Sequence, residues 1–250
     1  MAIYIKNQEE IQKMRLAGRI TALALAAAKE MIRPGVTTKD IDRAVEECIR
    51  ANGAVPTFQG YHGFPASACV SVNEVVIHGI PSNRVLKEGD IVSVDVGAYI
   101  GGFHGDAART FPVGAISKEA QRLIDVTKQS FYAGIVFAKK ECFLHQVCGA
   151  IQTHVESNGF SVVRAYIGHG VGRELHEAPE IPNYKPLGRG PRLQPGMTLA
   201  IEPMVNVGTY DVVTDRKDGW TVTTCDKKLS AHYENTVLVT DGEPELLTVL

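Results

Sequence analysis

Cysteine is scarce and unpatterned in this chain: the 250 residues hold five, an odd number, with no C-x-x-C pair. That excludes a disulfide-framed scaffold and a zinc ribbon, and favours reduced thiols in a cytosol. Long apolar runs are missing too. The most apolar stretch, Thr21 to Ala28, is far shorter than the ~20 residues that cross a bilayer, and it continues a helical pattern carrying Arg19 and Lys29. The opening residues, Met1 to Lys6, lack the basic, apolar and cleavage regions of a secretory signal. A cytoplasmic protein without a membrane partner is therefore expected. Nor is charge of one sign in excess. Lys+Arg 26 against Asp+Glu 28 gives a net charge of −2, and no basic block appears, so a specific nucleic-acid partner is not expected. Linkers and low-complexity tracts are absent, and the Gly- and Pro-rich stretch from Pro186 to Gly196 reads as a long surface loop.

What is present is enough chain to bury a substantial core, arranged twice in the same order. Asn7 with Glu10 forms a capping-box pattern that opens a helix ending at Arg33-Pro34-Gly35; Thr38 is expected to cap a second, which runs through Ile41, Val45 and Ile49 to Asn52-Gly53. Ser117 then opens a helix towards Lys140, and another passes Val147 and Ile151 to stop at Asn158-Gly159. Leu86-Lys-Glu-Gly-Asp-Ile-Val-Ser-Val-Asp95 matches Leu193-Gln-Pro-Gly-Met-Thr-Leu-Ala-Ile-Glu202, with Leu, Gly and the terminal acid at one constant offset. The expected architecture is α+β: a single domain over 1–250, with pseudo-symmetric helix-helix-strand halves at about 1–115 and 116–250 around a mostly antiparallel sheet.

Each half delivers an acid to an apolar strand, where an ionised carboxylate is costly without compensation. In VSVDVGAYIGGFHGDAAR, residues 92–109, Gly101-Gly102 reads as a two-residue hairpin turn, which sets Asp95 opposite Ala108 and Gly97 opposite Asp106. Asp95 and Asp106 then become diagonal neighbours on one face, with backbones roughly 7–8 Å apart. Glu202 ends a second apolar strand before Pro203, and Glu234 is expected on a strand within the β-prone run from Ser230 to Thr240. His169 and His176, among Gly170 and Gly172, are read as presented by an extended or loop segment. Four carboxylates and an imidazole suit two harder divalent ions such as Mn or Fe better than a structural zinc. His78 ends another apolar strand, and His104 is read as supporting the acids rather than binding metal. His62, His145, His154 and His232 have no local context that raises them above ordinary structural histidines.

Taken together, Asn73-Glu-Val-Val-Ile-His-Gly-Ile-Pro81, the Asp95 and Asp106 spacing, Gly168-His-Gly-Val-Gly-Arg173, His176, Ala200-Ile-Glu-Pro-Met204 and Ala231-His-Tyr-Glu-Asn-Thr236 resemble the type I methionine aminopeptidases over nearly the whole chain. The resemblance implies the pita-bread fold of creatinase and aminopeptidase relatives. It implies an enzyme that removes the initiator methionine from nascent chains and peptides whose second residue is small. By the same resemblance Asp95, Asp106, His169, Glu202 and Glu234 hold two divalent ions per chain, Mn, Fe or Co, while His78, His176 and Glu202 take catalytic roles. Phe58, Tyr61, Phe64, Cys69, Leu175 and Trp220, with His78 and His176, would receive the substrate. Phe58 and Ile77 stand where Cys is frequent in the family, and Leu175 where Phe or Met is common, which bears on pocket width. Expected partners are nascent polypeptide N-termini and the ribosome, with Arg189 and Arg192 as weak docking candidates, and the expected state is a monomer. Two alternatives stay open: an X-Pro peptidase on the same fold, and a binding module that has lost catalysis.

Overall fold

The computed structural model describes residues 2–250. Its first half runs α1 (Gln8–Met31), α2 (Thr38–Ala51), β1 (Val55–Pro56), β2 (Ala68–Val72), β3 (Val75–Ile77), β4 (Ile91–Ile100) and β5 (Phe103–Pro112). The second runs α3 (Lys118–Ile135), α4 (Leu144–Ser157), β6 (Ser161–Val162), β7 (Gly168–Gly170), β8 (Glu177–Ile181), β9 (Thr198–Ile201), β10 (Met204–Asn206), β11 (Val212–Thr214), β12 (Val222–Thr224), β13 (Ser230–His232), β14 (Asn235–Leu238) and β15 (Glu245–Leu246). All strand pairs among the described residues are antiparallel, but they form four sheets rather than one continuous sheet.

Local chemistry accounts for the helix ends. The Asn7 side chain accepts from the Glu10 N–H while the Glu10 carboxylate accepts from the Asn7 N–H, closing the expected box. The α2 cap is Thr37, not Thr38: its hydroxyl accepts from the Asp40 N–H at 3.1 Å, and Asp40 completes the box from the third helical position. The helix opened by Ser117 ends at Ile135, short of Lys140, where Phe137 and Ala138 donate back to Gly134 and Ile135 in a tightened last turn.

Strand alternation sorts core from site. Along β4, Val92, Val94, Val96 and Ala98 pack with Leu25, Ile41, Val45 and Ile49 of α1 and α2. Ser93, Asp95 and Gly97 therefore face away from those helices. In the second half Leu199 and Ile201 pack with Phe131, Val147 and Ile151 of α3 and α4, which turns Ala200 the other way. The helical layers thus lie outside, and the acid-bearing faces turn inward. Close approach between layers needs glycine at Gly105, where a Cβ would stand 2.7–2.8 Å from the α1 backbone at Ala17 and Gly18.

Candidate metal and substrate site

The β4–β5 hairpin has the expected register, with Ile100 opposite Phe103, Gly97 opposite Asp106 and Asp95 opposite Ala108. Gly101 and Gly102 both take positive φ, 61° and 86°, as a two-residue primed turn requires. Asp95 lies within β4 rather than at its end, and Glu202 follows directly on β9. Glu234 is not on a strand. The Ser230–Thr240 run breaks after His232, and at the break the Glu234 N–H donates to Ala108 of the other half at 2.9 Å. His169 sits on β7, and His176 immediately precedes β8, their rings 4.1 Å apart.

These residues converge on one buried volume. A ligand atom from each of Asp106, His169 and Glu234 lies within 4.8 Å of the other two. The His169 Nε2 is 3.8 Å from Asp106 Oδ2 and 3.5 Å from Glu202 Oε1. Asp95 and Asp106 lie close enough that each perturbs the ionisation of the other. Asp106 and Glu234 are only 4% and 2% exposed. Burial pushes the Asp95 carboxyl up to about 7. It raises Asp106, Glu202 and Glu234 well above the carboxylate range, with the neighbouring acids adding to the shift.

The donor chemistry tests what such a cluster can hold. His169 Nδ1 lies 2.8 Å from the Gly170 carbonyl, which only accepts, so Nδ1 carries the proton; burial lowers the ring's pKa to about 3 and keeps it neutral. Its Nε2 therefore turns a lone pair towards carboxylate oxygens. Asp95 Oδ1, Asp106 Oδ1 and Glu234 Oε1 are buried with no hydrogen-bond partner. Acceptors facing acceptors in a buried site are what a divalent cation relieves, and the oxygen-rich set with one imidazole fits such ions.

Around the acids, residues from both halves line a cavity of about 450 Å³, including Phe58, Tyr61, Phe64, Cys69, His78, Leu175, His176 and Trp220. Phe64 and Trp220 meet edge to face at 5.1 Å, and Phe58, Phe64, Cys69 and Leu175 form one buried apolar cluster. Tyr61 Oη lies 2.7 Å from His176 Nδ1 and fixes that ring. His78 holds φ 57°, a left-handed conformation unusual for a side-chain-bearing residue, with its ring edge-on to Tyr166 and Trp220. Burial lowers the His78 pKa to about 4 and also lowers that of His176.

Some expected residues fall elsewhere. His104 packs against Thr57 at 3.0 Å outside the cavity lining, Arg192 pairs with Glu141, and Arg189 lies over the Phe143 ring. Three residues at the site were not legible locally. His232 places Nε2 3.7 Å from Glu202 Oε2, and His62 and Tyr166 line the cavity. A signal for His232 exists in hindsight, since it stands two residues before Glu234. Arg109 was also missed. Its half-buried guanidinium donates to the Glu234 carbonyl and, at 2.6 Å, to Asn235 Oδ1, and lies 4.2 Å from the Tyr233 ring centre.

Residues 12–241 match the model of metallopeptidase family M24. The chain is 55% identical to a methionine aminopeptidase of Clostridium perfringens over 99% of both chains, and 52% identical to methionine aminopeptidase 1 of Bacillus subtilis over 98% of this chain and 99% of that one. Among solved structures, a methionine aminopeptidase from Rickettsia prowazekii superposes with a TM-score of 0.97 at 41% identity, covering 99% of this chain and 100% of that one. A prolidase from Pyrococcus furiosus reaches 0.79 at 25% identity, with 98% of this chain and 65% of that one covered.

Proposed function

The chain belongs to metallopeptidase family M24, and from that membership and the site's chemistry we propose that it removes the N-terminal methionine of polypeptides by metal-assisted hydrolysis. Relatives at high identity carry the methionine aminopeptidase name, while the prolidase is more distant in both sequence and shape. The observation that carries the reading is the coincidence of orphaned acid oxygens with an apolar, sulfur-tolerant cavity opening beside them.

Asp95, Asp106, His169, Glu202 and Glu234 would hold two divalent ions, Mn, Fe or Co. Such ions, when bound, polarise a peptide carbonyl and make water nucleophilic near neutral pH. The remaining work belongs to side chains. Phe58, Phe64, Leu175 and Trp220 receive the methionine side chain, with Tyr61 and Cys69 closing the wall, and their burial excludes water from the reacting bond. His176, oriented by Tyr61, faces the charge that develops on the carbonyl oxygen, and neutral His78 meets the scissile amide. Glu202 carries a proton from the attacking water to the leaving amine. The peptides cut are those whose second residue is small. The substrates are nascent chains in the cytoplasm, met by a monomer that can work near the ribosome; five free cysteines suit that compartment.

The direct test offers a Met-Ala-Ser tripeptide and a Leu-Pro dipeptide to the metal-loaded protein. Cleavage of the methionyl peptide alone supports the reading, cleavage of Leu-Pro would transfer it to an X-Pro peptidase, and metal binding without cleavage of either would leave a binding module.

A further inference from the structure

An enzyme that takes the first residue of a polypeptide must let the rest of the chain out. Beside the methionine cavity lies a groove of about 540 Å³ that shares Ile167, His169 and His176 with it, so the two volumes meet at the reacting centre. Four consecutive residues of β8, Glu177, Ala178, Pro179 and Glu180, border the groove. Here the β7–β8 ladder is bulged, with Gly170 opposite Glu177 and His169 opposite Glu180, so four consecutive residues reach one volume at the edge of the sheet. β8 is that edge: it ends the order β15-β14-β9-β7-β8 and pairs with β7 alone among the described residues.

We infer that the substrate residues beyond the second dock along this free edge of β8 as an added strand, with the exposed Glu180 favouring a basic side chain there. The inference rests on the aminopeptidase reading above and extends it from the scissile bond to the following residues. Main-chain pairing suits an enzyme that must accept many sequences, because it recognises the backbone and leaves side-chain choice open. Proline within β8 is compatible with this role, since an edge strand tolerates a missing N–H. Glu180 has its Cα opposite that of His169, so its side chain leaves the sheet on the face that carries the reacting centre. It forms no ion pair among the described residues.

The test compares kcat/KM, with metal-loaded protein, for Met-Ala-Ser and for octapeptides that extend it with lysine or with glutamate. The expected result is a gain from extension, lost when downstream amides are N-methylated, and a preference for lysine of about two- to fivefold. Glu180→Lys should reverse that charge preference between the two octapeptides. Equal kcat/KM for tripeptide and octapeptides, or a charge preference that Glu180→Lys does not move, would overturn the groove while leaving methionine removal intact. Failure of the parent protein to cleave the tripeptide would instead remove the reading beneath it.

Discussion

Single residues decide the chemistry, and the acids do so because they are where ionised groups are least welcome. Asp106→Asn should leave the protein folded and, when metal-free, melting no lower than the parent, because one of several crowded buried acids is relieved. The same variant should lose bound metal and turnover; an active, fully loaded Asp106→Asn protein, by metal analysis and peptide assay, would contradict the ligand set. His176→Ala should lower kcat by about 10²–10³-fold with metal content preserved, since the ring faces reacting atoms rather than ions. Loss of metal instead would make His176 a ligand. Arg109→Met should weaken metal affinity by about 10–100-fold, read by calorimetry, because Arg109 anchors the Glu234 carbonyl and Asn235 without touching the cavity. The pair Asp95 and Asp106 was legible in the sequence because two glycines fix a hairpin register without outside help. His232, His62 and Arg109 were not, because their meaning comes from partners far along the chain: Glu202, the cavity wall and Asn235.

Elements bring those residues together by turning one face to helices and the other to the site. β4 alternates between Val92, Val94 and Val96 in the core and Asp95 on the opposite face, and β9 repeats the scheme with Leu199 and Ile201 against Ala200. That alternation could be read from the sequence, as could the paired helices with their Asn-Gly ends. The division into four sheets could not, since it depends on where long pairings break; Tyr233-Glu234 looks like strand by composition and is pulled out of it by the bond from Glu234 to Ala108. The contact between α1 and β5 gives an element-scale prediction. Gly105→Ala would set a Cβ 2.7 Å from the Gly18 nitrogen, so it should destabilise by about 1–3 kcal/mol in denaturant unfolding. An unchanged unfolding midpoint would mean that α1 is free to move away from the hairpin.

At the scale of the molecule, the site is a seam between halves, and its occupancy should be felt throughout. Asp95 and Asp106 come from one half, His169, Glu202 and Glu234 from the other. Metal at about a hundred times its Kd should therefore add about 2.7 kcal/mol to the stability of the whole chain, and Asp106→Asn should abolish that gain. A second global tie joins α1 to β15 through Arg15 and Glu245, at 2.7 Å in two parallel bonds. The Arg15 guanidinium holds the Glu245 carboxyl below its ordinary value. A carboxyl depressed in the folded state stabilises above its unfolded pKa, and that contribution is lost as pH falls through the folded value. With side chains 37% and 36% exposed, the tie is worth about 0.5 kcal/mol at most. Glu245→Gln should thus lower the urea midpoint slightly at neutral pH and leave it unchanged near pH 3; an equal gap at both would remove the ionic contribution. The most direct test of the account is to strip the protein of metal and titrate Mn, Fe or Co back while counting bound equivalents and following Met-Ala-Ser hydrolysis. The account predicts no hydrolysis in the stripped protein and activity that rises with bound metal to a limit of two equivalents; hydrolysis that persists without metal, or metal that binds without restoring it, would contradict it.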